Sequence, residues 1–198
     1  MRRTKKDAEK TRADILDAAE QLFAVKGVQA TSLDQIARSA GVTRGAVYWH
    51  FRDKSDLLQA LRDRYRPPEM DIMEAALACR LEDVLDVIAR VTRSCLETFA
   101  AETSRQRMYL ILSQNAADTG NGSDLEGTGL IERLMIRARE DGQLAADLCP
   151  RAAALSLSAM FHGLMTQWMV SGRDFDLPGI GTRLIERQLR SLRIAETG

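Results

Sequence analysis

Apolar residues recur with helical spacing along almost the whole chain, and almost no segment alternates polar and apolar residues as a strand does. Gly27 ends the first stripe, and Pro67-Pro68 interrupts the pattern again. Helices are predicted before Gly27 and at about 32–40, 43–50, 55–65, 69–79, 81–101, 104–116, 125–140, 150–170 and 179–193. The pattern therefore predicts an all-α fold of about nine helices, or ten if every one of these segments forms a separate helix.

The two short helices at 32–40 and 43–50 flank a turn centred on Gly41. Thr43 is a suitable N-cap for the second helix, whose Val47 and Phe51 point back toward the first. The opposite, outward face carries Arg44, Gly45, Tyr48 and Trp49. Two exposed aromatic side chains beside an arginine make a poor ordinary surface, but they suit a DNA major groove. This arrangement predicts a helix-turn-helix.

The segment from Val42 to Phe51, followed by Lys54 and Leu57-Leu58, resembles the DNA-binding signature of the TetR family of bacterial transcriptional repressors. The resemblance is closest to the branch that represses multidrug efflux pumps. It also covers Arg2–Lys5, Ile15–Glu20 and Gly27-Val28 and, less closely, Asp141–Leu144 and His162–Leu164. It implies a homodimer on a pseudo-palindromic operator of double-stranded DNA, which a small apolar or drug-like effector releases.

Charge is distributed unevenly although the net charge is zero. Through Arg66 there are 14 Lys and Arg against 9 Asp and Glu, whereas the rest of the chain has 14 against 19. All five lysines lie in the first part. A basic head on an acidic body fits phosphate binding at one end and a different task at the other.

DNA binding takes most of its affinity from phosphates, whereas sequence is read at base edges. Arg44 projects early from the second short helix, so it is the candidate for a bidentate contact with guanine, and Gly45 lets the backbone approach the groove. By the resemblance, the phosphate-facing positions are Thr43, Tyr48, Trp49, His50 and Lys54. Lys54 precedes Ser55, the expected cap of the next helix, so its charge and the helix N-terminus are expected to act on one phosphate.

Four further predictions have structural alternatives. Thr31 and Ser32 can bond phosphates or simply cap the helix that follows. A basic arm of residues 1–10, with Arg3 and Lys5 as contacts, can reach the DNA or form a solubilising tail. His50 can be a partly buried spacer, and Trp49 can pack against the following helix.

The chain is predicted to divide into a DNA-binding domain at 1–54 and a helical ligand-binding and dimerisation domain at 55–198. The 150–170 helix is apolar over a wide arc, so it must be covered on two sides. Ile185, Leu189 and Leu192 lie in line on the 179–193 helix. The resemblance implies that these two helices of each protomer form a four-helix dimer interface.

A ligand cavity is expected between the 104–116 and 150–170 helices, on the family resemblance. Frequent methionines and few aromatics suit an adaptable apolar pocket. The candidate ligand-binding residues are Met108, Tyr109, Leu112, Ser113, Asn115, Phe161, His162 and Met165. The alternative for each polar member is a satisfied group in the core or an interface.

Other functions find little support in the sequence. There is no Gly-rich phosphate loop, HExxH or GxSxG motif, and only two histidines exist to act as bases, so we expect no enzyme and no cofactor. Cys79, Cys95 and Cys149 lack metal-ligand spacing and are interpreted as reduced thiols without a metal. Without an apolar run of about 18 residues or a signal peptide, the chain is expected to be cytoplasmic, with no membrane contact. The remaining alternatives are an architectural DNA binder without ligand control, and an activator.

Overall fold

The computed structural model describes residues 5–78, 82–114, 125–145 and 147–193. Ten α-helices form in them: α1 Lys5–Lys26, α2 Leu33–Ser39, α3 Arg44–His50, α4 Lys54–Arg64, α5 Glu69–Ala78, α6 Val84–Ala101, α7 Thr103–Gln114, α8 Leu125–Glu140, α9 Pro150–Val170 and α10 Leu177–Leu192. The described residues contain no strand, only one isolated bridge between Leu144 and Arg193. The all-α prediction is confirmed. No helix in the described ranges is long and apolar enough to cross a membrane.

Packing divides the chain into two compact units. The first unit is Met1–Arg66 together with Ser104–Gly122, and the second is Pro67–Thr103 together with Ser123–Gly198. The first unit therefore takes in α4 and nearly all of α7, beyond the boundary predicted between residues 54 and 55. That boundary concerned function, and as a division of function it stays a prediction.

The core of the first unit joins helices that are far apart in sequence. Ile15 and Phe23 of α1, Ile36 of α2 and Leu57 of α4 are fully buried and belong to one apolar cluster. Met108 and Ile111 of α7 belong to the same cluster, which explains why α7 packs with helices that end some 40 residues earlier. Burying each side chain of this size contributes about 1.5–3 kcal/mol.

A buried carboxylate also connects three helices of the first unit. Glu20 of α1 is only 4% exposed. It accepts a hydrogen bond of 2.6 Å from the hydroxyl of Tyr65, which caps α4, and one of 2.9 Å from the guanidinium of Arg107 on α7. Burial and the hydrogen bond to Glu20 raise the pKa of Tyr65 to about 12. A buried charge needs such partners, because an unpaired one would be strongly destabilising.

In the second unit, polar contacts connect the end of α10 with the start of α6. Asp83 caps α6 by accepting from the N–H groups of Leu85 and Asp86. Arg193, just after α10, reaches the same carboxylate at 2.7 Å. Burial by itself would raise the pKa of Asp83, but the hydrogen bonds from Arg193 and the two N–H groups hold it below its usual value. The C-terminal end of α10 is thereby attached to the start of α6.

Two local predictions are corrected by the helix starts. Asp53, not Ser55, caps α4, because its side chain accepts from the N–H of Asp56 at 2.9 Å and the helix begins one residue earlier. Residues 5–10 of the predicted arm are helical, since α1 begins at Lys5, and residues 1–4 lie outside the described part of the chain. Ion pairs one turn apart, including Lys10 with Asp14 at 2.7 Å, favour the helical start.

Candidate DNA-binding surface

The turn between α2 and α3 determines where α3, the recognition helix of the predicted helix-turn-helix, begins. Gly41 has a φ of +67°, a left-handed conformation that glycine adopts without strain. Thr43 then caps α3 by accepting from the N–H of Ala46 at 3.2 Å. As predicted, Thr43 is the cap, and Arg44 consequently occupies the first helical position. Residues at this end of a recognition helix are the ones that reach base edges.

The two faces of α3 differ as predicted. Val47 and Phe51, the latter just after the helix, are buried. On the outward side Tyr48 is 46% and Trp49 is 73% exposed. The Trp49 ring makes an edge contact with His50, their centroids 4.5 Å apart. Its exposure opposes the alternative that Trp49 packs against the next helix, whereas half-buried His50 fits a position at the flank.

Arg44 is held by two neighbours on this surface. Its Nε lies 3.1 Å from a carboxylate oxygen of Asp34 on α2. Its Nη2 donates to the Tyr48 hydroxyl at 3.2 Å, and the guanidinium lies 5.3 Å from the centre of the Tyr48 ring. The hydrogen bond to Tyr48 and the charge of Asp34 raise the pKa of Arg44 further above its already high value. The side chain is thus ordered by its neighbours but remains exposed to solvent.

Lys54 makes internal contacts at the edge of the same surface. Its ammonium donates to the carbonyl oxygens of Val28 and Gln29, at 2.8 and 3.0 Å. These bonds close the loop between α1 and α2 onto the start of α4. These two bonds hold the ammonium of Lys54 in place and use two of its three donor hydrogens. The third hydrogen is available to a DNA phosphate.

Ser32 and Thr31 behave differently from one another. Ser32 caps α2 in a capping box with Gln35, so the capping alternative is correct for it, and its side chain remains exposed. Thr31 is buried and donates its hydroxyl to the carbonyl of Gly27 at 2.8 Å, so it is not the cap. A phosphate contact stays a prediction for both, although the Thr31 hydroxyl is already in use.

An open groove runs across this surface of the first unit. Its lining is Gln29, Thr31, Ser32, Leu33, Asp34, Arg44, Tyr48, Arg52, Asp53 and Lys54. Sequence reasoning did not single out Gln29, Leu33, Asp34, Arg52 or Asp53 for this surface. Asp53 could have been found, because Asp53 and Ser55 are both residue types that cap helices and so indicate two possible starts of α4. Asp34 could not, because no rule of sequence spacing connects it with Arg44, ten positions later.

The predicted ligand-binding residues fall on both compact units. On α7, Met108 is buried in the core of the first unit with Leu112 packed against that core, Tyr109 is half-buried, and Ser113 is exposed. On α9, in the second unit, the half-buried rings of Phe161 and His162 are in edge contact at 5.5 Å, and Met165 is buried. Three residues singled out in the sequence, Arg3, Cys79 and Asn115, lie outside the described residues. The ligand site stays a prediction.

The predicted dimer helices retain an uncovered face on α9. Ile185, Leu189 and Leu192 of α10 are buried inside their own protomer, so that stripe is not the part of α10 available to a partner. The exposed face of α9 includes Ala152, Leu155, Ser156, Ala159, Gly163, Thr166 and Val170. At about 100° per residue these side chains fall within an arc of about 100°. An uncharged, small-residue face of this kind allows close approach of another helix.

Comparisons with known proteins agree with this geometry. Residues 15–61 match the model of bacterial regulatory proteins of the tetR family, and residues 122–194 match the C-terminal region of MAATS-type transcriptional repressors. The HTH-type transcriptional repressor BepR of Brucella suis is 35% identical, over 98% of this chain and 97% of its own length. The crystal structure of NalD, described as the secondary repressor of the MexAB-OprM multidrug efflux pump in Pseudomonas aeruginosa, has a TM-score of 0.80 and 34% identity, covering 96% of this chain and 98% of NalD.

A third similar structure contains a ligand. The complex of SmeT with triclosan has a TM-score of 0.82 and 29% identity, covering 93% of this chain and 92% of SmeT. SmeT is described as the repressor of the Stenotrophomonas maltophilia multidrug efflux pump SmeDEF. The helix-turn-helix with its exposed reading face and these full-length similarities lead to one conclusion: the chain belongs to the TetR family of bacterial regulatory proteins.

Proposed function

We propose that this protein is a ligand-responsive transcriptional repressor that binds a pseudo-palindromic DNA operator as a homodimer and controls a multidrug efflux operon. The observation that carries the proposal is the two-sided α3, with Val47 and Phe51 buried and Arg44, Tyr48 and Trp49 presented outward. Residues 1–54 supply the DNA contacts, and residues 55–198 supply dimerisation and ligand binding.

On the DNA-binding surface Arg44 reads bases and Lys54 anchors the backbone. The guanidinium offers paired donors that match the O6 and N7 acceptors of guanine. The ammonium is a point charge suited to one phosphate. Thr43, Tyr48, Trp49 and His50 flank these two groups, and Lys5 at the start of α1 adds positive charge.

Pairing through α9 and α10 accounts for a two-fold operator, because an isologous dimer presents two identical heads to two half-sites. The uncharged face of α9 between Ala152 and Val170 is the part of this surface most suited to close helix packing. Exposed Leu184 adds an apolar residue on α10.

Ligand control follows from the resemblance to efflux-pump repressors. A small apolar molecule, bound by members of the predicted ligand set, would favour a protein conformation with lower operator affinity and so release the DNA. Triclosan, the ligand of SmeT, is a suitable first probe.

The test begins with selection of bound fragments from the source genome by purified protein at two salt concentrations. We expect a few strong palindromic sites, next to the protein's own gene or a transporter gene. Diffuse, salt-sensitive enrichment without a motif would instead support an architectural DNA binder. Triclosan and other apolar compounds are then titrated against the selected operator; failure of every compound to weaken binding would contradict the sensing half of the proposal.

Two variants test the assignment of reader and anchor. Arg44→Ala should relax base preference at one operator position and reduce binding by about 1–3 kcal/mol. Lys54→Ala should weaken all sites alike and reduce the slope of log K against log salt by about one charge. Fluorescence anisotropy with operators mutated one position at a time measures both. Identical behaviour of the two variants would show that the division is wrong.

A further inference from the structure

Asp34 is an acidic side chain that the DNA-facing groove places against the base-reading arginine. Its carboxylate lies 3.1 Å from Nε and 3.5 Å from Nη1 of Arg44, while the Tyr48 hydroxyl accepts from Nη2 at 3.2 Å. Asp34 and Arg44 are on different helices, so this contact is made only when α2 and α3 are correctly packed.

Stability alone is a weak explanation of this ion pair. The Arg44 and Asp34 side chains are 64% and 47% exposed. Pairs as exposed as this contribute about 0–1 kcal/mol to folding, because water already solvates both charges. In addition, a carboxylate on a DNA-facing surface repels phosphates, so its presence lowers non-specific affinity.

We propose that Asp34 is a positioning residue that determines base specificity by restricting Arg44 to a guanine-reading orientation. This inference rests on the proposed function. With Nε and Nη1 facing Asp34, and Nη2 donating to Tyr48, the guanidinium plane is restrained before DNA arrives. Each Nη atom carries two N–H groups, so each keeps one donor for the paired acceptors of guanine.

Fixing the plane affects specificity more than affinity. Arginine has many side-chain rotamers, and an unrestrained Arg44 can swing to a neighbouring phosphate that carries no sequence information. Asp34 opposes this movement by attraction to the guanidinium and by repulsion of the phosphate. Removal of the Asp34 charge should therefore raise affinity for unrelated DNA while lowering discrimination at the base that Arg44 reads.

The experiment uses the full-length protein and the operator obtained by selection. Binding of wild type, Asp34→Asn, Arg44→Ala and the double variant is measured by anisotropy on the operator, on its single-base variants and on unrelated DNA, over a range of salt. Asp63→Asn is the charge-matched control, because Asp63 lies on α4 and accepts from Gln59 instead of Arg44. Thermal unfolding of each variant reports any loss of the favourable Asp34 charge in the first turn of α2.

We expect Asp34→Asn to reduce discrimination at the Arg44-dependent base by about threefold or more, a part of the roughly 5- to 150-fold that a bidentate contact supplies. Asp34→Asn should also bind unrelated DNA more tightly than Asp63→Asn does. The double variant should discriminate between bases no worse than Arg44→Ala alone. A purely structural role would change the unfolding temperature and leave the base preference intact.

Each failure identifies a different error. If wild type selects a clear site and Arg44→Ala relaxes it, but Asp34→Asn discriminates like wild type, the inference about Asp34 is wrong and the proposed function stands. If Asp34→Asn alters the base preference equally with and without Arg44, Asp34 acts directly on DNA and the positioning role is wrong. If wild type selects no site, the proposed function fails and the inference with it.

Discussion

At the residue scale, Gly45 offers a prediction in which stability and DNA binding change in opposite directions. A Cβ at this position would find only Thr43 Oγ1, 4.0 Å away, so the free protein has room for alanine. Gly45→Ala should stabilise the fold by about 0.5–1 kcal/mol, because alanine favours a helix. The added methyl group faces the proposed DNA, where overpacking of about 1–3 kcal/mol is expected to weaken operator binding.

Urea unfolding and operator anisotropy together check this prediction. Gly129→Ala on α8 is the matched control, since a Cβ there meets nothing within 4 Å, and it should gain stability without losing affinity. Unchanged operator binding by Gly45→Ala would show that the backbone does not approach the groove at Gly45.

Individual side chains on this surface were predictable in their direction but not in their contacts. Helical spacing was sufficient to place Val47 inward and Tyr48 and Trp49 outward. The contact of Asp34 with Arg44 depends on the angle between two short helices, which periodicity does not report. The hydrogen bond of Thr31 to the Gly27 carbonyl was missed because a threonine before a helix can either cap that helix or be buried, and the sequence alone does not distinguish the two roles.

At the element scale, the connection of α1, α4 and α7 through Glu20 predicts a specific dependence of stability on alkaline pH. Because burial and the hydrogen bond to Glu20 raise the pKa of Tyr65 to about 12, folding favours the neutral phenol, with Asp17 adding to this effect and Arg64 opposing it. The stabilisation is fully present below the unfolded pKa of about 10 and is lost as pH rises from about 10 to about 12. Tyr65→Phe lacks this titration.

The measurement is the free energy of unfolding in urea for wild type and Tyr65→Phe, from about two pH units below the unfolded pKa of tyrosine to about two above it. The wild type should be more stable at the lower end, and its advantage should shrink steadily above about pH 10. Taking the difference removes the titration of other groups that the two proteins share. Parallel curves would mean that folding does not raise the pKa of Tyr65, and so that the phenol is neither buried nor bonded to Glu20 in solution.

The positions of the helices follow from the apolar pattern, but their starts and their partners do not. The start of α4 was misplaced by one residue because Asp53 and Ser55 are both competent caps, and the chain around them decides between the two. Met108 and Leu112 of α7 were predicted to line a ligand cavity, but apolar residues that face a core and apolar residues that line a cavity look the same in sequence. Only long-range packing showed that Met108 and Ile111 join the core of the first unit.

At the scale of the whole molecule, dimerisation through α9 gives a prediction about the assembly. Leu155 is 51% exposed on the uncharged face of α9, so Leu155→Glu should leave the protomer folded but place a charge in the proposed interface. We expect a monomer in sedimentation and a loss of operator affinity of at least about tenfold, since two linked half-site contacts become one.

Ile136→Glu is the control for this prediction, because Ile136 on α8 is similarly exposed but lies outside the proposed interface helices. The control should remain dimeric and bind the operator normally. A dimeric Leu155→Glu protein with normal affinity would place the interface elsewhere.

Sequence identified the family but not how the chain is divided between compact units. A contiguous N-terminal module is the natural expectation when only local patterns are visible. Packing instead assigns Ser104–Gly122 to the first unit, after an intervening segment that belongs to the second. Ile185 and Leu189 of α10 were expected in the dimer interface but are buried inside their own protomer. An apolar helix face has the same sequence pattern whether it packs within its own protomer or against a partner, so the sequence could not distinguish the two.

The return of α7 to the core of the first unit has a consequence for building chimeric repressors. A chimera that keeps residues 1–66 and takes everything else from another family member would replace Met108, Ile111 and Arg107 with foreign side chains. Glu20 would then depend on the donor protein for its cationic partner, and the apolar cluster would have to accept whatever volume the donor supplies. A graft that carries Ser104–Gln114 along with residues 1–66 preserves the Glu20–Arg107 contact and the apolar cluster. Exchange of the sensing domain in this protein therefore needs a junction on each side of α7, in addition to the junction after residue 66.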